Sequence, residues 1–317
     1  MLAAVFAASL ALAAPTPLDG AAATPVCART GIPYPQAALA RGPNGLWLAC
    51  RERGTLVRYD AATGKPLATI ALRGLRPWAV ASGLGFVWAV DRTVPSLLRI
   101  DPRTGRQRRI RLDGLPVALW AGAGSVWVGF EQGTQVARVA PSTGKVHRIQ
   151  AGDGASGFAS DGRSVWIACH RDNSIVRVDL ATGNVTTTTA QLSDPAATAA
   201  ERIAYAGGSL WVTGRGLDLL RVAPDDGHVT ATIDIGAAGI EVLTAGAHVL
   251  VVAATDAGAR RGDPVVENLA LVDPGTNTIV SRVEAHARLL LSGLAVAGGR
   301  FWLVDTVAGR LLRGAAR

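Results

Sequence analysis

Cysteine, lysine and long apolar runs are scarce in this 317-residue chain. Three cysteines, Cys27, Cys50 and Cys169, allow at most one bridge and leave at least one thiol unpaired, which excludes a disulfide-stapled scaffold. They show no CxxC or His-spaced pattern, which argues against a structural zinc site. Beyond the N-terminus no run of 18 apolar residues occurs, so the mature chain has no internal transmembrane helix in prospect. Of 32 basic residues only Lys65 and Lys145 are lysine. GC-rich coding produces such an arginine excess, so a pI near 10.4 and a net charge of +8 say little about partners. With three Tyr, five Phe and no basic stripe interleaved with aromatics, nucleic acid is not the expected ligand.

What is present is globular. Apolar residues make up 49% and charged residues 18%, and 37 glycines suit a chain of many tight turns. The apolar run from Leu2 to Ala14, followed by small residues, reads as a secretory signal peptide without its usual leading Lys or Arg. Residues 1–23 are therefore expected to be a leader, cleaved between Ala13 and Ala23, and residues 24–317 one mature domain. Export to a periplasmic or extracellular space follows from that reading.

Internal repetition dominates the rest. GLWLACRERGTLVRYDAATGKPLATIAL around Trp47 recurs around Trp88, Trp127, Trp166 and Trp211, then with Leu250 in the tryptophan position, and half a copy surrounds Trp302. The spacings are 41, 39, 39, 45, 39 and 52 residues. That period is one four-stranded unit, a propeller blade. Each copy reads as an inner strand, a tryptophan strand, a third strand of form [VL]R[VIY]D, a turn such as DAATG or DPRTG, and an outer strand. The chain is predicted to be an all-β, seven-bladed β-propeller of four-stranded antiparallel blades. The last copy lacks an outer strand, so an N-terminal strand over Val26 to Thr30 is expected to complete it and close the ring. Arg58, Arg99, Arg138, Arg177, Arg221 and Arg313 recur at one place in the third strand. A fixed blade position points to architecture, through ion pairs or stacking, as it does for the six aligned tryptophans.

The units VWVGFEQGTQVARVAPSTGKVHRI and FVWAVDRTVPSLLRIDPRTGRQ resemble YVTN-type and streptogramin-lyase-type (virginiamycin B lyase-like) propeller repeats. The resemblance covers nearly all of the mature chain and implies a seven-bladed ring. It also implies, as one alternative, a lyase or lactone hydrolase using a divalent metal, Mg or Ca. Lyase-type units carry a Trp-Phe-Thr-Glu-like stretch where this chain has WLAC, WAVD, WVGF, WIAC, WVTG and WLVD, without the glutamate.

Propeller ligands sit at a channel mouth built from the loops between second and third strands and the inter-blade connections. Those loops here collect Arg51, Arg53, Arg76, Arg92, Arg171, Arg202, Arg215, Arg260, Arg261 and Arg288. Guanidinium groups bind carboxylates and phosphates through two parallel hydrogen bonds, so a concave arginine mouth favours an anion. The competing expectation is that these arginines pair with Glu52, Asp91, Glu131, Asp172, Glu201, Glu241 or Asp305. His170 is the histidine of a strand-joining loop, a candidate general base or ligand with His286 as its only candidate partner. Adjacent strand residues point apart, which argues against a Cys169–His170 dyad. Asp91, Glu241 and Asp305 are the metal candidates, and the long insert between Ala253 and Asn268 is a candidate lid.

The leading expectation is a non-enzymatic, monomeric, exported scaffold. It would bind a small anionic ligand or a protein partner through Arg51, Arg92, His170, Arg171, Arg215, Glu241, Arg260 and Asp305, with no cofactor required.

Overall fold

The computed structural model describes residues 19–21, 27, 37–42, 45–188, 200–214, 218–255, 266–284, 291–305 and 310–315. Seven four-stranded sheets follow one another along the chain, every strand pair within them antiparallel. This is the seven-bladed β-propeller that the repeat predicts. Inner strands, from Ala37–Gly42 in blade 1 to Leu291–Ala297 in blade 7, face the central channel. Among the described residues, no helix is long and apolar enough to cross a membrane.

The last sheet runs Leu291–Ala297, Arg300–Asp305, Arg310–Ala315 and then Asp19–Ala21, with Asp19 opposite Arg313. The strand beside Arg310–Ala315 is thus not the one expected at Val26 to Thr30, and it lies within the stretch assigned to the leader. Cys27 is the one described residue of Val26 to Thr30. A free sheet edge is satisfied by backbone groups, so a three-residue segment without the repeat's side chains can take it.

The repeat tryptophan and the third-strand arginine are cross-strand partners: Trp47 with Arg58, Trp88 with Arg99, Trp127 with Arg138, Trp166 with Arg177, Trp211 with Arg221 and Trp302 with Arg313. Blade 6 substitutes Leu250 and Leu271 for the pair. Each indole is buried among side chains of the following blade, Trp47 against Val80, Val87 and Leu98 and Trp302 against Leu39, Leu46 and Leu48. Four of the arginines stack on those rings, among them Arg138 at 5.6 Å from the Trp127 centroid and Arg221 at 5.5 Å from that of Trp211, while Arg99 lies over Phe86. Several also reach the next blade's turn. Arg99 donates to the carbonyls of Pro141 and Ser142, Arg221 to Asn277, and Arg313 of blade 7 to Ala62 of blade 1 across the seam where the ring closes. The architectural role expected of both residue sets is what these contacts perform.

The turns confirm their chemistry. Asp101 Oδ1 accepts hydrogen bonds from the amides of Arg103 and Thr104, and Gly105, at φ 70°, closes the loop by donating to the Asp101 carbonyl. The Thr104 amide first, then that of Arg103, holds the Asp101 carboxyl below its ordinary range, and Asp60 and Asp179 are lowered in the same kind of turn. A carboxyl lowered in the folded state adds stability that is full above the unfolded value, about pH 4, and lost as pH falls through the folded one. Urea midpoints measured down to about pH 2 should therefore decline less steeply in Asp101→Asn than in wild type; identical slopes would remove the turn from the account.

Candidate functional site

In each blade the second strand ends beside the start of the inner strand, as where Cys50 pairs with Ala37 and Val90 with Ala79. Loops following the second strands and loops leading into the inner strands therefore share one face. Backbone bonds knit them together: Trp78 donates to Val90, Glu131 to Leu115, His170 to Gly154, and Glu201 to Thr213. The expected mouth is thus assembled, and Arg51, Arg92, His170, Arg171, Arg202 and Glu241 all lie on it.

At its centre on one side is Trp78, which sequence periodicity did not single out. The Arg51 guanidinium stands 5.1 Å from its ring centroid and that of Arg92 stands 4.7 Å away. Trp78 Nε1 donates to the Val117 carbonyl at 3.1 Å, which locks the indole. Two guanidinium groups are consequently held by one ring. Arg92 is further fixed by a bidentate pair with Glu131, Nε to Oε2 at 2.9 Å and Nη2 to Oε1. That bond, followed by the charges of Arg92 and Arg171, holds the Glu131 carboxyl below its usual range. Among the described residues, Arg51 makes no ion pair. A guanidinium stacked on an aromatic face and outside any ion pair keeps donors free for an anion.

Pairing claims several other arginines. Arg171 lies 3.4 Å from Asp153, which is not among the expected partners, and Arg202 lies 3.4 Å from Glu241, which is. Asp172 instead accepts from the Asp153 amide and from Ser174. Arg215 and Arg260 lie outside the described residues, as do His286 and the Asp305 side chain.

His170 Nδ1 is 2.6 Å from the Gly154 carbonyl. A carbonyl only accepts, so Nδ1 is a protonated nitrogen in this contact and the bond fixes the ring's orientation. Cys169 is buried, and burial first of all pushes its thiol up to about 12, which removes it as a nucleophile.

Of the metal candidates, Asp91 and Glu241 have described side chains, and both are engaged in other bonds. Asp91 is buried, Oδ1 accepting from the Thr93 amide and hydroxyl and Oδ2 from the Arg76 amide at 2.7 Å. Those bonds tie two mouth loops together. Desolvation raises the Asp91 carboxyl, but the hydrogen bonds and the Arg51 charge outweigh it and leave it lowered. Among the described residues no three His, Cys, Asp or Glu side chains gather as a metal site.

Behind the mouth the channel opens as a cavity of about 550 Å³ lined by inner-strand residues, including Trp78, Trp120, Phe158, Arg202, Tyr205 and Glu241. Its size suits a small organic ligand.

A seven-bladed propeller with an arginine mouth is the class these features define. No protein-family model and no curated protein sequence matches the chain. Solved structures do. The chain is similar to virginiamycin B lyase from Staphylococcus aureus, at 16% identity and a TM-score of 0.71 over 90% of this chain and 96% of that one. A streptogramin B lyase matches at 16% identity and a TM-score of 0.72, over 93% and 96%. BamB from Moraxella catarrhalis matches at 15% identity and a TM-score of 0.58, over 87% and 81%. At such identities the likeness is one of fold.

Proposed function

We propose that this protein is an exported binding scaffold that captures an anionic ligand at the propeller mouth. The observation that carries the reading is the Arg51–Trp78–Arg92 platform at the edge of an open channel, with Arg92 shared with Glu131 and Arg51 outside any ion pair among the described residues. The Cys27–Cys50 disulfide agrees with an oxidising, extracytoplasmic location. The alternative, a lyase or lactone hydrolase with Mg or Ca at Asp91, Glu241 and Asp305, would need the Asp91 and Glu241 carboxylates, which are held in other bonds. No step is derived through it.

Citrate is a suitable first probe because its carboxylates match guanidinium forks. Changing Arg51→Gln and Arg92→Gln together should weaken citrate binding by at least about tenfold in calorimetry, the loss of one or two charge-assisted hydrogen bonds. Unchanged affinity in a variant with an unchanged melting temperature would overturn the mouth as the anion site.

A further inference from the structure

Six of the eight tryptophans obey the repeat; the other two, Trp78 and Trp120, both line the same channel. The repeat itself shows that Trp120 is not needed to build the ring. The inner-strand residue paired with the repeat tryptophan is alanine in five blades, as Ala40, Ala81, Ala159, Ala204 and Ala295. Blade 6 places Leu243 there, opposite Leu250. Only blade 3 places an indole there, Trp120 opposite Trp127. Its ring is half-buried and lies over Gly122, where an added Cβ would come within 2.2 Å of it, and it stacks on Phe158 with centroids 6.5 Å and planes 14° apart. Gly122 is what lets the ring fold along the channel wall.

We infer that the channel takes an organic anion with an aromatic or apolar body, its acidic head on Arg51 and Arg92 and its body on Trp120. The head placement rests on the reading of the mouth; the body placement rests on Trp120 alone. Trp78 bonds to the Val117 carbonyl, and Trp120 lies three residues further along that inner strand. At about 3.3 Å per residue, the strand between these two anchors spans about 10 Å, a length on the scale of one small amphiphilic molecule. A half-buried indole on a channel wall offers its uncovered part to flat apolar groups by offset stacking and burial, while the arginines set orientation.

Two probes separate the sites: 8-anilinonaphthalene-1-sulfonate, with an acidic head and an aromatic body, and citrate, with no such body. In Trp120→Ala the sulfonate should bind about tenfold more weakly while citrate binding and the melting temperature hold, because alanine is what five blades carry there. Trp120→Phe should recover most of the loss. Unchanged sulfonate affinity in Trp120→Ala, or equal weakening of both probes, would overturn the inference. Trp120→Leu, which copies blade 6, gives the same readout should the alanine variant fold poorly. Arg51→Gln with Arg92→Gln should weaken both probes. If it weakens neither while Trp120→Ala weakens the sulfonate, the mouth reading falls and the body site stands. A wild-type protein that binds neither probe overturns both.

Discussion

Replacing Trp127 with alanine is expected to destabilise the fold by about 3–5 kcal/mol, the usual cost of deleting a large aromatic from a packed interior. Trp127 is fully buried, and it packs with Ala118 and Val136 of its own blade and with Phe158, Val165 and Ile167 of the next. The cavity would open at the seam between two blades, and Arg138 would lose the ring beneath its guanidinium. Blade 6 shows the apolar alternative, Leu250 opposite Leu271. Trp127→Leu combined with Arg138→Leu should therefore cost less than Trp127→Ala alone. Urea unfolding measures both, and a loss under about 1 kcal/mol for Trp127→Ala would contradict the seam-filling role.

Reducing the Cys27–Cys50 bridge is expected to cost about 3 kcal/mol, the chain-entropy figure for a closed loop of this size. The two cysteines are 23 residues apart with Cα atoms 5.3 Å apart, and Cys50 is the last residue of the second strand of blade 1. The bridge fastens the chain before blade 1 to the mouth face, next to Arg51. Denaturant midpoints with and without reductant test it, with thiol titration in denaturant as the control: one thiol, Cys169, in the oxidised protein and three after reduction. An unchanged midpoint in fully reduced protein would show that the loop is already held by other contacts.

The blades were legible because each copy repeats the residues that do the structural work. Trp47 and Arg58, or Trp127 and Arg138, recur at a fixed offset since a tryptophan strand must present its ring to the next blade and an arginine lies over it. The Asp-to-Gly turns were equally plain, as only a short carboxylate and a left-handed glycine satisfy that loop. The closing strand was not legible. Asp19–Ala21 carries no repeat signature, and pairing through backbone groups asks little of side chains.

The mouth was legible as a set of loops and not as a set of contacts. Periodicity placed Arg51, Arg92, Arg171 and Glu241 on one face, but pairing across blades depends on distances between segments about 40 residues apart in sequence. Hence Glu131 and Glu241 could be named as partners without saying which arginine each would take, and the fold gives them Arg92 and Arg202. Trp78 and Trp120 were hidden for the opposite reason, because a search tuned to recurrence passes over whatever occurs once.

The sequence by itself thus determined the blade, its number and its packing grammar, since those are local patterns under a repeated constraint. Only the tertiary structure decided which arginine is paired, which stands on an indole, and which tryptophans face an open channel, because those follow from side chains converging across the ring.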